Sequence, residues 1–229
     1  MKITSLRFLI LSIPILLLST NIFSQTKVYD GAINGKYNIE MHLNFVKNSI
    51  YGYYFYKSKK LPIALFGEIK GTKIILIESD LADTSVFFQG DIAGSQIVGQ
   101  WQDKYKKSKM QFLVTQSNII DSSKHILIKN GSYENNSSDI SQFCSIYYID
   151  NNLIFYECSV GTENCDGEIF GIAKIDHNGK AQSLKFSDST DPCFLKFEFA
   201  KNKIRIVEGG DCLSFHGASC TFNGEFKNL

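Results

Sequence analysis

Ile39-Glu40-Met41-His42-Leu43-Asn44-Phe45 alternates apolar and polar side chains at every step. A period of two belongs to a strand with one buried face, so Ile39, Met41, Leu43 and Phe45 are expected inside and Glu40, His42 and Asn44 towards water. Lys47-Asn48 follows as a turn. The same unit, an apolar run and then a break at Gly, Asn, Asp or Lys, recurs at 29–33, 51–56, 61–69, 73–78, 85–92, 96–101 and 110–115. Links this short join antiparallel neighbours, and about eight strands are enough for a sheet to close on itself and lose its exposed edges. Residues 25–117 are therefore expected to form an eight-stranded meander or barrel-like domain. Gly52, Gly67, Gly90 and Gly99 fall inside these runs, where a missing side chain allows a bend or a close neighbour. Trp101, the only tryptophan, is expected to plug one end of the barrel, with a ligand contact as the second reading.

All six cysteines lie between Cys144 and Cys220, and residues 118–229 read as a second antiparallel β domain. Leu195, Phe197 and Phe199 alternate with Lys196 and Glu198, and Ile204 and Ile206 match them across a turn at Lys201-Asn202. Further strands are expected at 125–129, 184–186 and 222–226, and the polar run from Glu134 to Asp139 is expected to be a surface loop. Cys144 and Cys158 flank the turn Asp150-Asn151-Asn152, so a hairpin would place them opposite each other. The hairpin around Lys201-Asn202 brings Cys193 near Cys212, leaving Cys165 with Cys220. Zinc at Cys212, His216 and Cys220 is the competing reading, without the tight ligand pairs a zinc site usually shows.

The chain opens with Lys2 and Arg7, an apolar stretch from Phe8 to Leu18 and a small or polar segment before Gln25, the order of a secretory signal. Residues 1–24 are thus expected to be a signal peptide, which makes the protein secreted or periplasmic and its cysteines disulfides. The mature chain would keep 22 Lys and Arg of the full 24 against 23 Asp and Glu, a formal charge of −1. That balance indicates neither nucleic acid nor an acidic membrane, and no transmembrane segment remains.

Asp30-Gly31-Ala32-Ile33, Ile39 to Leu43, Gly52-Tyr53-Tyr54, Leu65-Phe66-Gly67 and Gly99-Gln100-Trp101 together resemble a pattern recurring in uncharacterised secreted bacterial β proteins. The resemblance spans most of residues 29–115, implies an exported β fold and carries no activity. In strand count alone the first half is also similar to lipocalin-like and avidin-like barrels. Its Gly-x-Trp triplet lies near the last strand, whereas lipocalins carry theirs in the first.

Tyr51-Gly52-Tyr53-Tyr54-Phe55-Tyr56 sends Tyr51, Tyr53 and Phe55 to one face and Tyr54 and Tyr56 to the other. One set must be core; the other either covers neighbours within the sheet or forms an exposed stacking platform. Tyr51, Tyr53, Tyr54, Tyr56 and Trp101 are therefore the candidate ligand-binding residues. His216 with Asp211 and Ser214 is the one acid–base grouping worth carrying, as a hydrolase reading. Glu163, Asp166 and Glu168 around Cys165 lack the spacing of a calcium loop, and nucleotide-binding glycine motifs are missing. No cofactor is implied. The favoured function is an exported non-catalytic module that binds a protein or glycan, for example an inhibitor of a cell-wall-degrading enzyme; a structural or envelope-surface protein is the alternative.

Overall fold

The computed structural model describes residues 25–78, 86–121, 128–136, 139–150, 152–184 and 193–229. The expected signal peptide lies outside the described residues. All regular structure among them is β, arranged as two closed eight-stranded antiparallel barrels.

The first barrel runs through β1 (Gln25–Ile33), β2 (Tyr37–Val46), β3 (Ser49–Tyr56), β4 (Ile63–Lys70), β5 (Lys73–Glu78), β6 (Val86–Ala93), β7 (Gln96–Asp103) and β8 (Ser108–Asp121). Each strand pairs with the next, and β8 returns to β1. The β8–β1 pairing continues through Asp121 with Gln25, so the barrel extends past the boundary expected at residue 117. Ile39, Met41 and Leu43 are buried inside with Leu65, Leu76, Phe88, Ile97 and Phe112, as the alternation predicts. The glycines act as bend points: a methyl group at Gly67 would overlap the carbonyl oxygen of Ile75 on the next strand, and Gly90 and Gly99 face each other across β6 and β7. Eight strands enclose a space that side chains can fill, and bends of this kind let the strands coil tightly enough to fill it.

The second barrel has the same topology: β9 (Gly131–Asn136), β10 (Ser141–Asp150), β11 (Leu153–Thr162), β12 (Cys165–Ile175), β13 (Lys180–Ser183), β14 (Phe194–Ala200), β15 (Lys203–Gly209) and β16 (Gly224–Asn228). Pairing of β16 with β9 closes it. One expectation changes here. Glu134 to Asn136 belong to β9, not to a surface loop, because the inward side of this strand is only partly apolar: Tyr133 is buried in the core, and Asn135 donates to Gln142 at 2.6 Å. Of the strand expected at 184–186 only Leu184 is described, just past the end of β13, and 185–186 lie outside the described residues. The strand expected at 125–129 falls mostly outside the described residues, and 128–130 form a link.

Disulfides join Cys144 to Cys158, Cys193 to Cys212 and Cys165 to Cys220, the two pairs expected from the hairpins and the pair left over. Cys144 and Cys158 stand directly opposite on β10 and β11. The other two bridges hold the long β15–β16 connection down over one end of the barrel.

Candidate functional site

The tyrosine strand faces as alternation predicts, but its outward side is covered. Tyr51 and Tyr53 are buried with Ala64 against Ile149, Phe155 and Ile172 of the second barrel. Tyr51 stacks on Tyr147 at 4.2 Å between ring centroids, and Phe66 packs on Phe155 and Phe170. The exposed platform considered for Tyr51 and Tyr53 is therefore absent: the outer faces of β2–β4 and β10–β12 carry enough aromatic surface to seal against each other, removing it from water.

A charged network lies within this seam. His42, expected to point into water, is buried, stacked on Tyr53 at 4.6 Å, with Nε2 2.7 Å from Glu40 Oε1. Its Nδ1 lies 2.6 Å from Asp150 Oδ2, an ion-pair contact off the ring N–H direction. Tyr53 donates its hydroxyl to Asp150 Oδ1 at 2.7 Å, and Thr26 donates to the Ile149 carbonyl at 2.9 Å. Burial alone would depress the imidazole pKa; Asp150 and then Glu40 outweigh it and hold the value above 6.5. Lys57 completes the outer end by pairing with Asp30, which it holds below the usual carboxylate range. Asp150 of the second barrel is held by His42 and Tyr53 of the first, while Glu40, Asp30 and Lys57 pair within the first barrel, so the arrangement fastens the two barrels.

Inside the first barrel, Tyr54 and Trp101 meet on one carboxylate. Tyr54 donates its hydroxyl to Glu78 Oε1 at 2.7 Å, and Trp101 donates Nε1 to the same oxygen at 2.8 Å. Trp101 thus sits at the end of the barrel where it is expected, its indole occupied by a protein partner. Burial and then the Glu78 charge push the Tyr54 hydroxyl well above 10, so it serves as a donor and keeps its proton at neutral pH. Tyr56 is half-buried, edge-on to Tyr54 and to Tyr37 at the rim. Sequence reasoning missed Glu78, although its parity with Ile74 and Leu76 placed it on the inward face.

The third constellation caps the second barrel. His216 is buried, with Nδ1 2.8 Å from the Gly217 oxygen and Nε2 3.3 Å from Glu208 Oε2. Glu208 also accepts from Thr221 Oγ1 at 2.7 Å and from the Phe222 amide at 2.9 Å. Asp211 instead accepts from the Leu213 amide, and both Asp211 and Ser214 are exposed. The triad considered for these three residues does not assemble. Cys212 and Cys220, the other members of the zinc reading, are consumed in separate disulfides. Among the described residues, no group of three His, Cys, Asp or Glu side chains is disposed to hold a metal ion.

The outer face of β5–β8 lies on the opposite side of the first barrel from the seam. Register puts Gln89, Gln100 and Gln111 side by side across β6, β7 and β8, all exposed, with Ile75, Val98 and Leu113 exposed beside them. Ile75, Gln89, Val98 and Gln100 line a shallow hollow together with Gly90 and Gly99. Side-chain amides donate and accept at once, and the flanking aliphatic groups add apolar contact, a combination suited to recognising neutral polar surfaces. The chain matches no family model, no curated protein and no solved structure.

Proposed function

We propose that the protein is an exported, non-catalytic binding module for a protein or glycan, acting outside the cytoplasm as a rigid pair of barrels. The amide row Gln89–Gln100–Gln111 beside exposed Val98 and Leu113 is the observation that carries this reading. It replaces the tyrosines as the candidate contact surface, because those side chains are engaged in the seam and in the barrel interior. Support also comes from the buried polar groups, since His42, Glu78 and His216 are each held by protein partners in ways that serve packing. Three disulfides suit an oxidising compartment, and among the described residues no helix is long and apolar enough to cross a membrane.

The test is capture from cell-wall material and glycan arrays by the oxidised protein, beside a variant carrying Gln89→Ala, Gln100→Ala and Gln111→Ala. Saturable binding that the triple variant loses supports the reading. Binding that the variant retains in full, or no saturable ligand at all, would move the assignment to a structural or envelope-surface role.

A further inference from the structure

We infer that one end of the first barrel is a docking surface for an anionic lipid bilayer. In an up-and-down barrel the β1–β2, β3–β4 and β7–β8 connections emerge at the same end, and here all three carry one chemistry. The first presents Lys36 beside Tyr37, which is 42% exposed. The second reads Lys57-Ser58-Lys59-Lys60-Leu61-Pro62, with Leu61 70% exposed. The third reads Lys104-Tyr105-Lys106-Lys107-Ser108-Lys109, with Tyr105 76% exposed. Eight lysines and no acidic residue occupy these three tips, in a chain whose net charge is close to zero; Lys57 pairs with Asp30 and Lys106 with Asp103 at their base, and the other six have no ion pair among the described residues.

The tips are held firmly. Lys59 and Lys60 donate their amides to the Tyr56 carbonyl, and Lys57 donates to the Asn38 carbonyl at 2.9 Å, tying the second tip to the first strand pair. Asp103 accepts from the Lys106 amide at 2.9 Å and fixes the third. Leu61 and Tyr105 stand mostly exposed on these fixed tips, and each is flanked by ammonium groups. This is the pattern expected where an apolar residue enters the headgroup boundary while lysines contact anionic headgroups. A soluble polyanion would need the lysines but would leave Leu61 and Tyr105 without a purpose. Asp80 and Asp83, in the β5–β6 connection outside the described residues, are too few to cancel the lysine excess. At the other end of the same barrel Lys70 pairs with Glu68 and Lys73 with Asp91.

The experiment is co-sedimentation of the oxidised protein with phosphatidylcholine vesicles that contain or lack phosphatidylglycerol. Binding is expected only to the anionic vesicles, weakening as salt is raised and falling about fivefold for each of Lys59→Gln and Lys60→Gln. The pair Leu61→Ser and Tyr105→Ser should also weaken it several-fold, while Lys70→Gln with Lys73→Gln at the opposite end leaves it unchanged. Emission from Trp101 confirms that each variant is folded. Absence of binding to anionic vesicles, binding that survives the loss of Leu61 and Tyr105, or binding to heparin or duplex DNA without binding to vesicles would each overturn the proposal.

Discussion

The two barrels share a topology and solve its stability problem differently. In the first, the described connections are short turns, the interior is filled by aromatic and aliphatic side chains, and strand glycines supply the bends. In the second, two connections at one end are long, and both are anchored by disulfides: Cys193–Cys212 ties the strand after one to the other, and Cys165–Cys220 holds the far side of the same cap. Long connections cost more entropy to close, and a covalent link removes much of that freedom from the unfolded chain before folding begins. Two of the three staples thus stand at long connections, and the third, Cys144–Cys158, crosses a hairpin.

Reduction gives the largest test of that contrast. In the chain-entropy account each bridge contributes about 3 to 4 kcal/mol, the most for Cys165–Cys220 with its separation of 55 residues. Losing all three should unfold the second barrel while the first persists. Trp101, the only tryptophan, reports on the first barrel alone, so its emission should stay native-like while far-ultraviolet circular dichroism loses strand signal. Simultaneous loss of both signals would show that the barrels cannot stand apart.

The seam comes next in size. Phe155→Ala removes a fully buried ring between the barrels and should cost about 3 to 5 kcal/mol, splitting one cooperative urea transition into two. A single unshifted transition would mean that the aromatic contact does not couple them.

Glu78 offers a smaller, sharper probe of the first barrel. Glu78→Ala strands the Tyr54 hydroxyl and the Trp101 indole N–H in an apolar interior, at about 1 to 3 kcal/mol for each unpartnered donor that stays dry. Glu78→Gln retains an acceptor oxygen and should cost much less in thermal unfolding. Equal losses in the two variants would assign the effect to charge and not to the hydrogen bonds.

The smallest effect is the pH dependence of the seam. The folded-state pKa of His42 is raised above 6.5, so its stabilising contribution is complete below that pH and is lost as pH rises through the folded value. The difference in urea midpoint between wild type and His42→Gln should therefore be widest in mild acid and shrink towards alkaline pH. A difference that is flat or widens with pH would contradict the pairing with Asp150 and Glu40.

Much of the fold was legible because period-two alternation is a direct imprint of a one-sided strand, as at Ile39 to Phe45 and Leu195 to Phe199. β9 escaped because the inward residue Asn135 is polar and only its pairing with Gln142 makes it a wall of the barrel. The tyrosine strand shows a different limit. Its sequence gives which side chains share a face, but what covers that face lies on strands about a hundred residues away, as the separation of 97 between Tyr53 and Asp150 illustrates. His42 was misread for the same reason: a polar position on an outward face is wet only if no second domain lies over it. Net charge hid the lysine tips because a sum carries no position, and only the order of the turns gathers them at one end.

Closure of the second barrel through Lys227 and Glu134 sets the order of assembly as the chain is made. The amino-terminal barrel holds every strand it needs once Asp121 has been made, whereas its successor must wait for nearly the whole remaining polypeptide before its last seam can zip. A nascent chain would therefore emerge with one finished module beside an open sheet, and the bridges Cys144–Cys158 and Cys193–Cys212 have both partners in hand before Cys165–Cys220, whose second cysteine arrives just ahead of the final strand.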